Sequence, residues 1–173
     1  MRLLAFVLLL SLAGATALAT AVRIAPLDEL ARDADLVALV SSTPLSEESH
    51  WEGGRIVTSV ELEVEEVWGG AALTRPTIRV VTLGGQVGEF AQRVDGAAVL
   101  PTGERLVTFL ARGDDGRYYP QGMWQGVWLL VDDGPDPIVA RAHPYGLPGG
   151  AALRMPERLS DLKLAVQEAR HAP

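Results

Sequence analysis

Between Arg55 and Trp68 the chain alternates with almost no interruption, Ile56, Thr58, Val60, Leu62 and Val64 on one side and Ser59, Glu61, Glu63 and Glu65 on the other. Side chains of a β-strand point to opposite faces in turn, so this run predicts a long strand with an apolar face against a core and an acidic face towards water. At Glu65-Glu66 the phase slips by one residue before Val67-Trp68. A bulge there restores the inward phase and bends the strand, which is what a closing barrel requires.

The neighbouring segments supply further barrel walls. Leu36–Val40 is a near-continuous apolar run of strand length and reads as a central strand. Residues 43–54, with Ser46, Glu47, Glu48, Ser49, Gly53 and Gly54, read as a polar loop. Thr77–Leu83 is a third strand, followed by the glycine-rich loop 84–89 and an irregular connection through Gly96 to Gly103. Another strand spans 104–111, and Gly113-Asp114-Asp115-Gly116 has the composition of a hairpin turn, where backbone at positive φ is needed. Tyr118-Tyr119 and then Trp124–Val131 continue the meander, for five or six strands in all.

Helices are expected at both ends. Pro26 opens a segment with acids in its first turn and Leu27, Leu30, Ala31 and Ala34 on one face, a short helix. Residues 132–155 are rich in Gly, Pro and Asp and read as a surface segment. A longer helix is predicted over 156–171, its stripe of Leu159, Leu162, Val166 and Ala169 asking for a groove on the barrel.

The first nineteen residues read as a signal peptide. Arg2 is followed by the apolar run Leu3–Leu12 and then small residues, with Ala17 and Ala19 matching the small side chains demanded at a cleavage site. The run is about half the length needed to span a membrane, so the expected product is exported and released, periplasmic or secreted. Cleavage leaves 154 of the 173 residues, read as one domain over 20–173. The chain has no cysteine and carries a net charge of −7, so no disulfide, thiol chemistry or thiolate metal site is available, and nucleic acid or an anionic membrane is a poor partner.

No motif carries a reaction. Gly84-Gly85-Gln86-Val87-Gly88 lacks the following helix and the Lys-Ser/Thr pair of a phosphate cradle, so its glycines are assigned to backbone geometry. His50, His143 and His171 are scattered, and no His-Glu-x-x-His or Gly-x-Ser-x-Gly pattern occurs. Asp132-Asp133-Gly134-Pro135-Asp136 lacks calcium-loop spacing and reads as a turn. No cofactor and no metal are expected. Tyr119, Gln121, Trp124, Gln125 and Trp128 concentrate aromatic rings and amides within ten residues, and alternation puts Trp124 and Trp128 on one face. Such a cluster serves either as core or as an amphipathic platform for a peptide or glycan.

Taken as a set, Gly84-Gly85-Gln86-Val87-Gly88, Val94-Asp95-Gly96, the segment Gly103–Leu110 and Gly122-Met123-Trp124-Gln125-Gly126 resemble a block in uncharacterised exported bacterial proteins, some of which carry it ahead of a matrixin-type metalloprotease domain. That resemblance spans about residues 27–130 and implies export without a defined activity. Ala34-Asp35-Leu36-Val37, Glu65–Gly70 and Gly103-Glu104 are also similar to netrin-like and tissue-inhibitor-of-metalloproteinase-like modules, which implies a five-stranded OB-like barrel flanked by helices. Without cysteine the zinc-chelating N-terminus of those inhibitors is absent.

The sequence therefore predicts a mainly β, OB-like antiparallel barrel with a short N-terminal and a longer C-terminal helix. The leading functional expectation is a non-catalytic exported module that binds a protein, peptide or envelope polymer. An envelope hydrolase or protease-accessory domain, with Glu89, Asp95 and Glu104 gathered in one cleft, is the alternative, and a structural envelope protein is the third.

Overall fold

The computed structural model describes residues 23–141 and 157–172, with 43–45 and 157 described by backbone alone. The predicted signal peptide with Ala17 and Ala19, and most of the expected surface segment beyond Arg141, lie outside those residues.

Five strands close into a barrel. They are β1 (Leu36–Glu52), β2 (Arg55–Gly70), β3 (Thr77–Leu83), β6 (Arg105–Arg112) and β7 (Tyr118–Pro120), in the order β1-β2-β3-β7-β6 with β6 returning to β1. Only the β3–β7 pair is parallel. A separate hairpin, β4 (Gly85–Val87) with β5 (Phe90–Gln92), interrupts the β3-to-β6 connection. Beyond β6 the sheet continues into β8 (Val127–Leu130), β9 (Ile138–Arg141) and β10 (Glu157–Arg158). Two helices complete the fold, α1 (Leu27–Asp33) and α2 (Leu159–His171). This is the mainly β barrel with flanking helices that the alternation and strand count predict.

Closure depends on the phase slips in β2. Val37 pairs with Gly69 but Ala38 with Val67, and Leu39 pairs with Glu66 but Val40 with Val64, so Trp68 and Glu65 are each an extra residue opposite β1. The second bulge is the one the Glu65-Glu66 slip predicts. Two bulges in seven residues coil β1 and β2 tightly enough for β1 to pair with β6 on its other edge, Leu36–Ser41 against Leu110–Arg105.

The core has two layers that share strands. Leu36, Ala38, Val40, Leu62, Val80, Leu106 and Leu110 fill the barrel interior. Val37, Leu39, Val107, Phe109 and Trp128 point outward and are covered by Leu27, Leu30, Leu162 and Val166 of the helices. Most of these side chains are fully enclosed, and each Leu, Val or Phe among them contributes about 1.5–3 kcal/mol relative to exposure. Arg170 of α2 lies across Gly69, and its guanidinium donates to the Ala31 and Ala34 carbonyls at 2.7 Å each, satisfying the open C-terminal end of α1. A β-carbon at Gly69 would stand 2.4 Å from that arginine side chain, which would have to move aside for any larger residue.

Five expectations are corrected. Residues 46–52 are not a loop: β1 runs to Glu52 and pairs with β2 from Ser46↔Glu61 to Glu52↔Arg55 as a two-stranded arm turned by Gly53 and Gly54. Both glycines have positive φ, 57° and 79°, the geometry whose twist suits a two-residue hairpin, and the polar composition reflects a ribbon wet on one face. The glycine-rich loop and its exit contain the β4–β5 hairpin. Met123–Gly126 is a 3-10 turn, so Trp124 is not on a strand, and the strand begins only at Val127. Within the expected surface segment Ile138–Arg141 forms β9, because β8 offers an edge and Val139 is fully buried. The C-terminal helix starts at Leu159 rather than 156, where the Asp136 carboxylate accepts the Ser160 N–H (3.0 Å) and hydroxyl (2.9 Å).

Trp128 is 2% exposed, packed on Phe109 at 6.4 Å between centroids with the Arg141 guanidinium 5.0 Å above its ring, and Trp124 is 3% exposed. Trp128→Ala and Trp124→Ala should each lose about 3–5 kcal/mol of unfolding free energy in urea titrations. Losses below about 1 kcal/mol would remove both from the core.

Candidate functional site

Of the predicted binding residues, Trp124, Gln125 and Trp128 are buried. Gln125 uses its amide to anchor the chain before α1, accepting from the Ala25 N–H at 2.7 Å and donating to the Arg23 carbonyl at 3.1 Å. Gln121 is half-buried and its backbone N–H bonds the Phe109 carbonyl at 2.8 Å. Tyr119 is half-buried, its hydroxyl donating to Asp115 at 2.8 Å. The five do not form one surface: three serve packing, and Tyr119 belongs to a different cluster on the arm side of the barrel.

Glu89, Asp95 and Glu104 are exposed and stand on separate loops. The acidic face of β2 is largely engaged: Arg105 grips Glu65 through Nε and Nη2, Lys163 reaches Glu66, and Arg79 lies 3.8 Å from Glu61. The Lys163 ammonium is the main cause of a lowered Glu66 pKa, with the Trp68 indole N–H at 3.0 Å adding to it. In the acidic turn, Asp132 accepts the Gly134 and Ile138 N–H groups, so both carboxylate oxygens are used on backbone. Among the described residues no group of three or more His, Asp or Glu is arranged to hold a metal ion, and no helix is long and apolar enough to cross a membrane.

The arm and the β4–β5 hairpin build a different constellation. Gly85 has φ of 135°, and a β-carbon there would lie 2.4 Å from the Thr58 hydroxyl and 2.6 Å from the Ser49 hydroxyl. Only glycine lets the hairpin lie this close on the arm, which is the backbone role expected of the Gly-rich motif. The Ser49 and Thr58 hydroxyls bond each other at 2.8 Å, Thr58 donates to the Gly84 carbonyl at 2.8 Å, and the Gln92 amide oxygen takes the Ile56 N–H at 2.6 Å. This polar stitching holds Trp51 and Phe90 edge-to-face, 6.0 Å between centroids. They are 52% and 65% exposed, the most open aromatic pair described.

On the opposite face of the arm, Arg117 ties the hairpin tip to the β6–β7 turn. Its guanidinium donates to Glu52 at 2.8 Å and to Asp115 at 2.5 Å, and Glu52 in turn faces His50 at 3.4 Å. The hydrogen bond from Arg117 is the main reason that Glu52 titrates below its ordinary range, and burial is the main reason that Tyr119 titrates above its own. Sequence reading missed Trp51 and Phe90 because each is an isolated aromatic in a polar stretch. The available signal was position, Trp51 two residues before the Gly53-Gly54 turn and Phe90 two after Gly88.

Asp115 accepts the Arg117 backbone N–H, the Arg117 guanidinium and the Tyr119 hydroxyl, and these donors hold its carboxyl at about 2, from an ordinary 3.8. A depressed folded-state pKa stabilises above the unfolded value and is lost on acidification. The stability gap between wild type and Asp115→Asn should therefore be full above pH 3.8 and close as pH falls towards 2, followed by urea midpoints. A gap unchanged down to pH 2 would contradict the latch.

Compared with protein-family models, curated proteins and solved structures, the chain gives no match.

Proposed function

We propose that the chain is an exported, non-catalytic binding module whose contact surface is the arm end of the barrel. The observation that carries this reading is the Trp51–Phe90 pair: two large apolar rings left in water on two separate hairpins, held in register by buried polar contacts. Exposed aromatic pairs cost solubility, and rigid rings with few rotatable bonds make efficient contact area. Export rests on the N-terminal segment with Ala17 and Ala19, and the resemblance to exported bacterial proteins agrees with it. A protein, peptide or envelope polymer suits such a surface.

Trp51 provides its own reporter. The other three tryptophans, Trp68, Trp124 and Trp128, are 6% exposed or less, so acrylamide quenching should reach Trp51 almost alone. Immobilised chain should retain a component of its own solubilised envelope fraction, and that component should shield Trp51 from acrylamide. The Trp51→Ala/Phe90→Ala double variant should fold normally by circular dichroism and retain nothing. Equal retention by the double variant would sink the reading.

A further inference from the structure

At the arm end the mouth of the barrel opens beside the connection from β5 to β6, and strand register fixes which side chains face it. Glu47 of β1 pairs with Val60 of β2, Val60 with Val80 of β3, and Thr58 with Thr82. Residues paired across an antiparallel ladder point to the same side, and Val60 and Val80 belong to the barrel core. Glu47 and Thr82 therefore lie on the inner face, while Ser46 and Glu48 turn outward. Glu52, Glu61, Glu65 and Glu66 each have a cationic partner. Among the described residues the Glu47 carboxylate has neither a hydrogen bond nor an ion pair, and the Thr82 hydroxyl has no partner. Glu47 is exposed, so its unpaired charge bears no burial cost until a cation arrives.

A pocket of about 210 Å³ lies here, lined by Glu47, Val60, Thr82, Leu83, Ala98 and Leu100. Its walls are held by hydroxyls that are themselves buried. Ser42, 2% exposed, accepts the Glu104 N–H at 2.7 Å and reaches the Pro101 carbonyl, pinning the β5–β6 connection to β1. On the other side Thr58 holds the Gly84 carbonyl, which fixes the start of β4. The pocket is thus formed before any ligand enters. Among the described residues of its lining Glu47 carries the single charge, and no aromatic ring is present. An anion is repelled, a sugar finds no ring to stack on, and a metal ion finds one carboxylate where it needs several oxygens.

We propose that this pocket binds an aliphatic primary ammonium, its methylenes packed on Val60, Ala98 and Leu100 and its charge on the Glu47 carboxylate. A lysine side chain of a partner and a free alkylamine share that chemistry, a flexible apolar stem ending in a compact three-donor cation. The assignment goes beyond the Trp51–Phe90 surface and does not depend on it. The rival account of Glu47 is an inward-pointing charge that keeps a second copy from pairing with the arm edge.

The probe is n-butylammonium chloride, titrated at low salt into isotope-labelled chain and followed by amide chemical shifts. Saturable shifts at Val60, Thr82, Gly85 and Ala98 are expected, with a Kd on the order of 1 mM, and neutral butanol should give none. Glu47→Gln should weaken binding about tenfold, and Thr82→Phe, which fills the pocket, should abolish it, both in variants with unchanged circular dichroism. Equal affinity for Nα-acetyl-lysine methylamide would support a partner's lysine as the source, and binding of butylammonium alone a free amine; either upholds the ammonium. The proposal is overturned by absence of saturable shifts in folded wild type, by equal binding of butanol, or by undiminished affinity in Glu47→Gln. In the last case a Glu47→Gln dimer in sedimentation would give the residue to edge protection instead. If butylammonium fails while envelope retention still depends on Trp51 and Phe90, the pocket assignment falls alone.

Discussion

Everything else in the molecule is arranged around a five-residue stretch of β1 that is buried on both faces. Leu36, Ala38 and Val40 point into the barrel while Val37 and Leu39 point out beneath the helices, and none of the five is more than 4% exposed. A strand hidden on both sides needs both backbone edges paired, because no water reaches its N–H and C=O groups. β2 and β6 supply those edges, and the barrel closes as a consequence. The helices are then obligatory too, since the outward faces of β1, β6 and β8 would otherwise leave Phe109 and Trp128 in water. Arg170 secures that cover by bonding α1 to α2 rather than by adding apolar area.

The barrel's two ends are consequently unlike. The helix end is dry: Arg170 satisfies the end of α1, and the Trp128 indole N–H is buried among apolar side chains with no hydrogen-bond partner among the described residues. The arm end extends past the helices, where β1 and β2 form a ribbon that, among the described residues, no third strand continues alongside on the β1 edge. Such a ribbon is marginal by itself. It is secured from one face by the β4–β5 hairpin through Ser49, Thr58 and Gln92, and from the other by Arg117 reaching Glu52. Exposed ion pairs add little to global stability, yet here Arg117 fixes the position of a hairpin that carries an open tryptophan. Its effect is geometric more than energetic.

How much of this the sequence disclosed follows from what each residue had to do locally. Alternation located β2 and its bulge because side-chain phase is a property of the strand itself. The both-faces-apolar run of β1 and the stripe of α2 were legible for the same reason. The arm was hidden because a two-stranded ribbon with one wet face has the composition of a loop, and β9 because its short run follows Gly134, Pro135 and Pro137. Trp124 and Trp128 share a spacing that suits a strand, yet Gly122 and Met123 turn left-handed and wind the chain into a 3-10 turn, which alternation does not anticipate. The candidate site was the least legible part. Trp51 and Phe90 lie 39 residues apart, and only the close approach permitted by Gly85 brings their hairpins together.

The departures from ideal geometry are themselves unevenly placed. Gly84, Gly85, Gly88, Gly96, Gly122 and Met123 take positive φ within the two segments that border the mouth, and Pro120 interrupts the ladder beside them. Five of those six are glycines, which adopt such backbone without steric penalty but lose more freedom on folding. Met123 alone bears the penalty of a side chain there. Were packing the sole constraint, a glycine at 123 and a hydrogen-bonding residue at 120 would relieve the strain and zip β7 onto β3, closing the barrel wall completely. The seam that joins β3 to β7 by one bridge is thus where local backbone preference yields to the course that β7 takes along β6, with Pro120 unable to extend the ladder and Met123 held left-handed beside it.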